Sequence, residues 1–82
     1  MKYTAQKKYS YRIKVNEQID EDGKAIAVYG IEAWADHSHS LICTVENVFT
    51  LYTQTEELVK LCNTLQLDPG HLTDVIEDAL VK

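Results

Sequence analysis

From Tyr9 to Ile19 the chain alternates in polarity, with Tyr9, Tyr11, Ile13 and Val15 on one side and Ser10, Arg12, Lys14 and Asn16 on the other. A period of two is the mark of a half-buried strand. Asp20-Glu21-Asp22-Gly23 follows, and Asp-Gly between two strand patterns is a strong short-range hairpin signal. The second strand is expected from about Lys24 to Ala35, apolar on both faces as befits the centre of three. Asp36-His37-Ser38-His39-Ser40 reads as a polar turn. Leu41 to about Val48 makes a third strand, with Leu41, Cys43 and Val45 facing one way and Ile42, Thr44 and Glu46 the other. Short connections make the sheet an antiparallel meander.

The first turn decides which side chains share a face. A three-residue loop Glu21-Asp22-Gly23, with Gly23 left-handed, pairs Asp20 with Lys24. Val15 then faces Tyr29, Ile13 faces Ile31, Tyr11 faces Ala33, and on the reverse face Arg12 meets Glu32, a favourable cross-strand pair. A two-residue Asp22-Gly23 turn would instead set Glu32 beside Ile13. Slipping by one residue exchanges the faces, and the cost of burying Glu32 selects the three-residue turn.

Beyond Thr50 the period changes to that of helices. Thr50 or Thr53 is the expected cap of the first, Thr53-Gln54-Thr55-Glu56 matching a capping box. Leu51, Leu58, Leu61, Cys62 and Leu65 are expected on its buried face, with Val59 at the border. Asp68 is a good N-cap for a second helix, where Pro69 at the first position loses no needed hydrogen bond. Leu72, Val75, Ile76, Ala79 and Leu80 recur at helical spacing and predict its core stripe. The expected architecture is α+β, a β-β-β-α-α chain with both helices on one face of a three-stranded antiparallel meander. It reads as a single domain over residues 1–82, with 1–7 a frayed start, 8–48 the sheet and 50–81 the helical pair.

With 82 residues, 45% apolar and 26% charged, the chain has the composition of an ordinary globular domain. No run approaches the roughly 18 apolar residues that span a bilayer, and the basic N-terminus lacks the apolar stretch of a secretory signal. A cytoplasmic setting is expected, without membrane contact. There Cys43 and Cys62 are expected as buried thiols and not as a disulfide. The net charge of −5 conceals an asymmetry: residues 1–14 hold five of the eight basic side chains, and all thirteen acids lie from Glu17 onward. Such a dipole can steer an anionic partner to one end, or align copies head to tail. The acidic remainder disfavours nucleic acid.

The segments Val28-Tyr29-Gly30-Ile31, Glu57-Leu58-Val59-Lys60-Leu61-Cys62-Asn63, Leu65-Gln66-Leu67 and Pro69-Gly70-His71-Leu72-Thr73-Asp74-Val75-Ile76-Glu77-Asp78 resemble a family of short uncharacterised proteins of Clostridia-type bacteria, a domain of unknown function. The resemblance lies mainly in the C-terminal helical pair and the central strand, leaving out the N-terminal strand and the Asp36–Ser40 turn. It implies a bacterial cytoplasmic setting and brings no catalytic residue, cofactor or partner with it.

Candidate chemistry is sparse. His37-x-His39 in an extended segment would point both imidazoles to one side, where Asp36 or Cys43 could complete a metal tetrahedron. A solvated turn explains the same residues. His71 falls in the first turn of the second helix, with no nucleophile at recognisable spacing, and packing at the helical corner is its expected role. Asp20, Asp22 and Gly23 lack the remaining ligands of a calcium loop. The helix–corner–helix superficially matches a DNA reader, but Asp74, Glu77 and Asp78 would repel phosphates. No catalytic residue and no cofactor is indicated. The uncovered face of the sheet is different: Arg12, Lys14, Ile26, Val28 and Trp34 would lie there, an apolar patch rimmed with charge. The expected function is a non-enzymatic protein-interaction, regulatory or accessory domain. Arg12, Lys14, Val28 and Trp34 are then its contact residues, for a protein partner or for self-association. The alternative is a small-molecule or metal-binding domain using the Asp36–His39 turn.

Overall fold

A computed structural model describes residues 8–81, and the expected frayed start at 1–7 lies outside them. The chain runs β1 (Tyr9–Ile19), β2 (Ala25–Ala35), β3 (Ser40–Phe49), α1 (Tyr52–Leu65), a 3₁₀ turn (Pro69–His71) and α2 (Leu72–Val81). The three strands form one antiparallel sheet in the order β1-β2-β3, followed by the two helices, an α+β arrangement.

The β1–β2 ladder is unbroken from Tyr9↔Ala35 to Ile19↔Ala25, with Val15 opposite Tyr29, Ile13 opposite Ile31 and Arg12 opposite Glu32. The turn explains the register. Asp20 N donates to Lys24 O at 2.9 Å and Gly23 N to Asp20 O at 3.0 Å, with Gly23 at φ +81°. The Asp20 carboxylate also accepts from Asp22 N and Lys24 N, each at 2.9 Å. Such local bonds to an Asp side chain are what make it a turn residue.

The third strand departs from simple alternation. Cys43 pairs with Ala33 and Val45 with Ile31, as the periodicity predicts, but a bulge between Ala33 and Trp34 brings Leu41 opposite Trp34. Leu41 therefore leaves the face of Cys43 and Val45. A larger irregularity follows, because Tyr29 pairs with Phe49 and Ile31 with Val45, so that Glu46, Asn47 and Val48 oppose Gly30 alone. Asn47 takes φ +57° to make the arch. The arch crosses where a Gly30 side chain would stand: a Cβ there would lie 2.1 Å from Val45 O and 2.8 Å from Glu46 Cα.

The core lies between one sheet face and the helices. Tyr11, Ile31, Ala33 and Phe49 meet Leu58, Val59, Cys62, Leu72 and Ile76, with Cys43, Val45, Val75 and Ala79 packed at its margin. The expected helical stripes are narrower in the structure. Leu51, Leu61, Leu65 and Leu80 are exposed, at 61%, 49%, 63% and 51%. Thr55 takes a core position instead, fully buried, its hydroxyl donating to Leu51 O at 3.0 Å. Burial of Phe49 fixes where the chain leaves β3, so α1 begins at Tyr52 with Leu51 as an extended N-cap. Neither Thr50 nor Thr53 caps the helix, because the N-cap Leu51 has no side-chain cap bond to offer and Thr53 lies within the first turn. At the second helix the expectation holds: Asp68 is the N-cap, accepting from Gly70 N at 2.8 Å with Pro69 behind it, although the first turn is 3₁₀.

The end of α1 is fastened to the edge of β1. Gln66 ends the helix in the left-handed region, φ 50° and ψ 51°. Its Oε1 accepts from Lys8 N at 2.7 Å and Tyr9 N at 3.1 Å, and its Nε2 donates to Tyr9 O at 3.0 Å. One turn earlier, Asn63 Oδ1 accepts from Tyr11 N at 2.8 Å while its Nδ2 donates to Tyr11 O at 3.0 Å. Each such bond contributes about 1 kcal/mol net, which together outweigh the roughly 1–2 kcal/mol of a left-handed residue without a glycine. The Tyr11 hydroxyl completes the joint by donating to Leu67 O. Burial pushes the Tyr11 phenol well above its ordinary value, with Cys62, Cys43 and Asp68 adding to the shift.

Two outcomes are expected from this packing. Gly30→Ala should cost about 3 kcal/mol, because backbone atoms and not a flexible side chain stand in the way, and lower the Tm on the order of 15 °C. A thermal melt unchanged from wild type would show that the β3 arch yields freely. The second concerns alkaline pH. The Tyr11 phenol is raised in the folded state, so its contribution is complete below the unfolded value of about 10 and is lost as pH rises above it. Denaturant titrations at neutral pH and above pH 10 should show a smaller alkaline loss for Tyr11→Phe than for wild type. An equal loss in both proteins would place the titration elsewhere.

Candidate functional site

On the face of the sheet away from the helices, the even-numbered residues of β1 and β2 stand together. Trp34 is half-buried near the end of β2. The Arg12 guanidinium lies over its ring, 5.1 Å from the centroid, and Trp34 Nε1 donates to Glu32 Oε1 at 3.2 Å. Lys14 Nζ is 4.0 Å from Glu32 Oε2, with the carboxylate side chain 18% exposed. The four side chains thus form one lattice across β1 and β2, set by the pairing of Arg12 with Glu32. Each link is worth at most about 1 kcal/mol at such exposure, and their combined effect is to hold the indole in one orientation.

The rest of this face departs from the expected patch. Val28 is only 5% exposed and offers a partner no surface. It stands outside the helix-side core, two residues from Gly30, where β3 arches over the sheet. Nearby, Asn16 Nδ2 donates across to Glu46 Oε1 at 3.3 Å and Asn47 Oδ1 at 3.2 Å. Ile26 is 39% exposed, but it sits out along the β1–β2 hairpin, past the point where β3 stops pairing. Leu41 and Ile42, 49% and 44% exposed, come to the Trp34 end instead. The alternation of β3 gave no sign of this, since a bulge leaves no mark on a run of apolar residues.

The Asp36–His39 segment is a turn and not an extended strand. His39 has φ 53°, which removes the alternation that would set it on the same side as His37. Both imidazoles are exposed, and Asp36 is engaged elsewhere, accepting from Ser10 Oγ while its N–H donates to Lys8 O at 3.0 Å. Cys43 lies on the helix side of the sheet. Among the described residues no group of three or more His, Cys, Asp or Glu side chains is gathered in metal-binding range.

His71 is exposed and does not pack at the helical corner. Cys43 and Cys62 are both free thiols. Burial pushes the Cys62 thiol upward, the opposite of what an activated nucleophile requires. Between α1 and α2 runs a shallow, open cleft lined by Gln54, Glu57, Leu58, Leu61 and Ala79, apolar for the most part and without convergent polar groups. No described helix is long and apolar enough to cross a membrane.

Comparison with known proteins adds a family and no activity. No curated protein and no solved structure matches the chain. A family model matches residues 2–82, and so takes in the N-terminal strand and the Asp36–Ser40 turn as well as the helical pair and central strand. The chain therefore belongs, over sheet, turn and helices alike, to the family of unknown function DUF6514.

Proposed function

We propose that this chain is a non-enzymatic protein-interaction domain of a bacterial cytoplasm, acting as a regulator or accessory subunit through the uncovered face of its sheet. The observation that carries the reading is the bulge that brings Leu41 opposite Trp34. An aromatic ring covered on one face by Arg12 and held at its N–H edge by Glu32, next to exposed Leu41 and Ile42, has the make-up of an interface anchor. Its orientation is fixed before a partner arrives, so little side-chain entropy is lost on binding. Arg12 and Lys14 supply a basic rim around the single carboxylate of Glu32, which suits a partner with acidic groups around an apolar pocket. The bacterial and cytoplasmic setting rests on the family resemblance of the helical segments.

Retention of proteins from a bacterial lysate by wild type, Trp34→Ala and Leu41→Asp baits tests the reading. A specific partner should be held by wild type and lost with both variants, since truncating an anchoring Trp costs at least about 2 kcal/mol of binding. Binding should also shift the emission of Trp34, the single tryptophan, to shorter wavelength. Equal recovery of every protein by all three baits would remove the Trp34 face as the contact surface.

A further inference from the structure

The outer edge of β1 is only half used. Its even-numbered residues bond inward to β2, as the bonds Asp36 N to Lys8 O and Asp20 N to Lys24 O at the two ends of the ladder show. The odd-numbered residues therefore turn their N–H and C=O groups outward. Tyr9 and Tyr11 have theirs satisfied by Gln66 and Asn63. Past Tyr11 the helix ends its cover, and among the described residues no side chain bonds the outward groups of Ile13, Val15, Glu17 and Ile19. This stretch is straight, without a bulge, and it carries Val15 and Ile19 at 58% and 68% exposure.

We infer that this edge pairs with the same edge of a second copy, antiparallel, about a two-fold axis through Asn16. Three constraints select that register. Outward groups occur at odd positions only, so odd residues must face odd residues. A centre at Glu17 would set two carboxylates against each other, which is destabilising. A centre at Val15 would require Tyr11, whose edge Asn63 already occupies. Centring on Asn16 uses the four open residues and no others: Ile13 faces Ile19 of the second copy, and Val15 faces its Glu17.

Charge complementarity names the occupant. The strand carries Arg12 and Lys14 at one end and runs into Asp20, Glu21 and Asp22 at the other. Antiparallel pairing of two copies sets each basic end beside the acidic turn of its mate, Arg12 opposite Asp20 and Lys14 opposite Gln18. A parallel arrangement would bring like charges together. The pairing also puts the exposed Ile19 against Ile13, which is already packed at the margin of the core. The contact shares Arg12 and Lys14 with the partner surface proposed above but does not involve Trp34 or Leu41, so it goes beyond that surface and substitution of Trp34 tells the two apart.

Sedimentation of the full chain should give twice the monomer mass across the micromolar range, falling toward one as salt rises, because the charge pairs are screened. Val15→Pro removes one outward donor on an edge strand and should sediment as a monomer with unchanged far-UV circular dichroism. Cysteine pairing tests the register without relying on that variant. In the proposed ladder position 16 lies opposite itself in a non-hydrogen-bonded pair, with Cα atoms about 4.5 Å apart, within disulfide range. Asn16→Cys should therefore form a linked dimer on mild oxidation, while Gln18→Cys, facing Lys14, should not. A monomeric wild type at every concentration would overturn the proposal. So would equal crosslinking of Gln18→Cys and Asn16→Cys, or a folded Val15→Pro variant that remains dimeric. Trp34→Ala should leave the mass unchanged, and a loss of dimer there would move self-association to the other face.

Discussion

Asn63 and Gln66 present to the outer edge of β1 the donors and acceptors that another strand would offer. Each amide answers both an N–H and a C=O, so the helix end takes the place of a fourth strand along Tyr9 and Tyr11. Much else follows from this grip. It fixes the height of α1 over the sheet, which places Leu58 and Cys62 against Tyr11 and Ala33. It holds Leu67 where its carbonyl meets the Tyr11 hydroxyl, so the corner into α2 starts from an anchored point. It also explains why a glutamine and not a glycine closes the helix. A glycine would adopt the left-handed backbone without strain but would leave the first residues of β1 unpaired.

The two faces of the sheet are built by different physics. The helix side is a packed apolar layer in which the one buried polar side chain among the described residues, Thr55, satisfies its hydroxyl on the carbonyl of the N-cap Leu51. Among the described residues no buried side-chain nitrogen or oxygen is left without a partner. The other side is a lattice of charges and one indole, where geometry comes from pairing and not from exclusion of water. A small domain can leave such a face open because the charges and the indole's N–H on it keep their polar partners. What it loses in buried area it regains in a surface of fixed shape.

The sequence was most legible where one physical term dominates. The hairpin register follows from Gly23 and the cost of burying Glu32, and all of its pairs stand as read. The Asp68-Pro69 start of the second helix was likewise visible in local chemistry. Elsewhere tertiary context decided. Leu61, Leu65 and Leu80 share a helical face with core residues, yet two short helices on a narrow sheet cannot bury so wide a stripe. Thr55 looked like part of a cap and became core, because Leu51 and not Thr50 or Thr53 ends the linker. Asn63 and Gln66 carried the only available signal of the joint, two amides three residues apart near a helix end, and solvated amides at that spacing look no different. Val28 and Leu41 exchanged roles through bulges in β3 that alternating apolar residues cannot reveal.

Those bulges also bear on what happens at the far side of the sheet. A strand that steps out of register twice in ten residues, and carries a left-handed Asn47 in its arch, does not present an even row of backbone groups. Another chain laid along it would lose its register at each of these steps. Open sheets are vulnerable to endless stacking, strand upon strand, into fibres, and proteins with small cores are the most exposed to it. Here the crooked third strand acts as a stop. The same arch that forbids a side chain at position 30 denies the sheet a second straight border along which to grow.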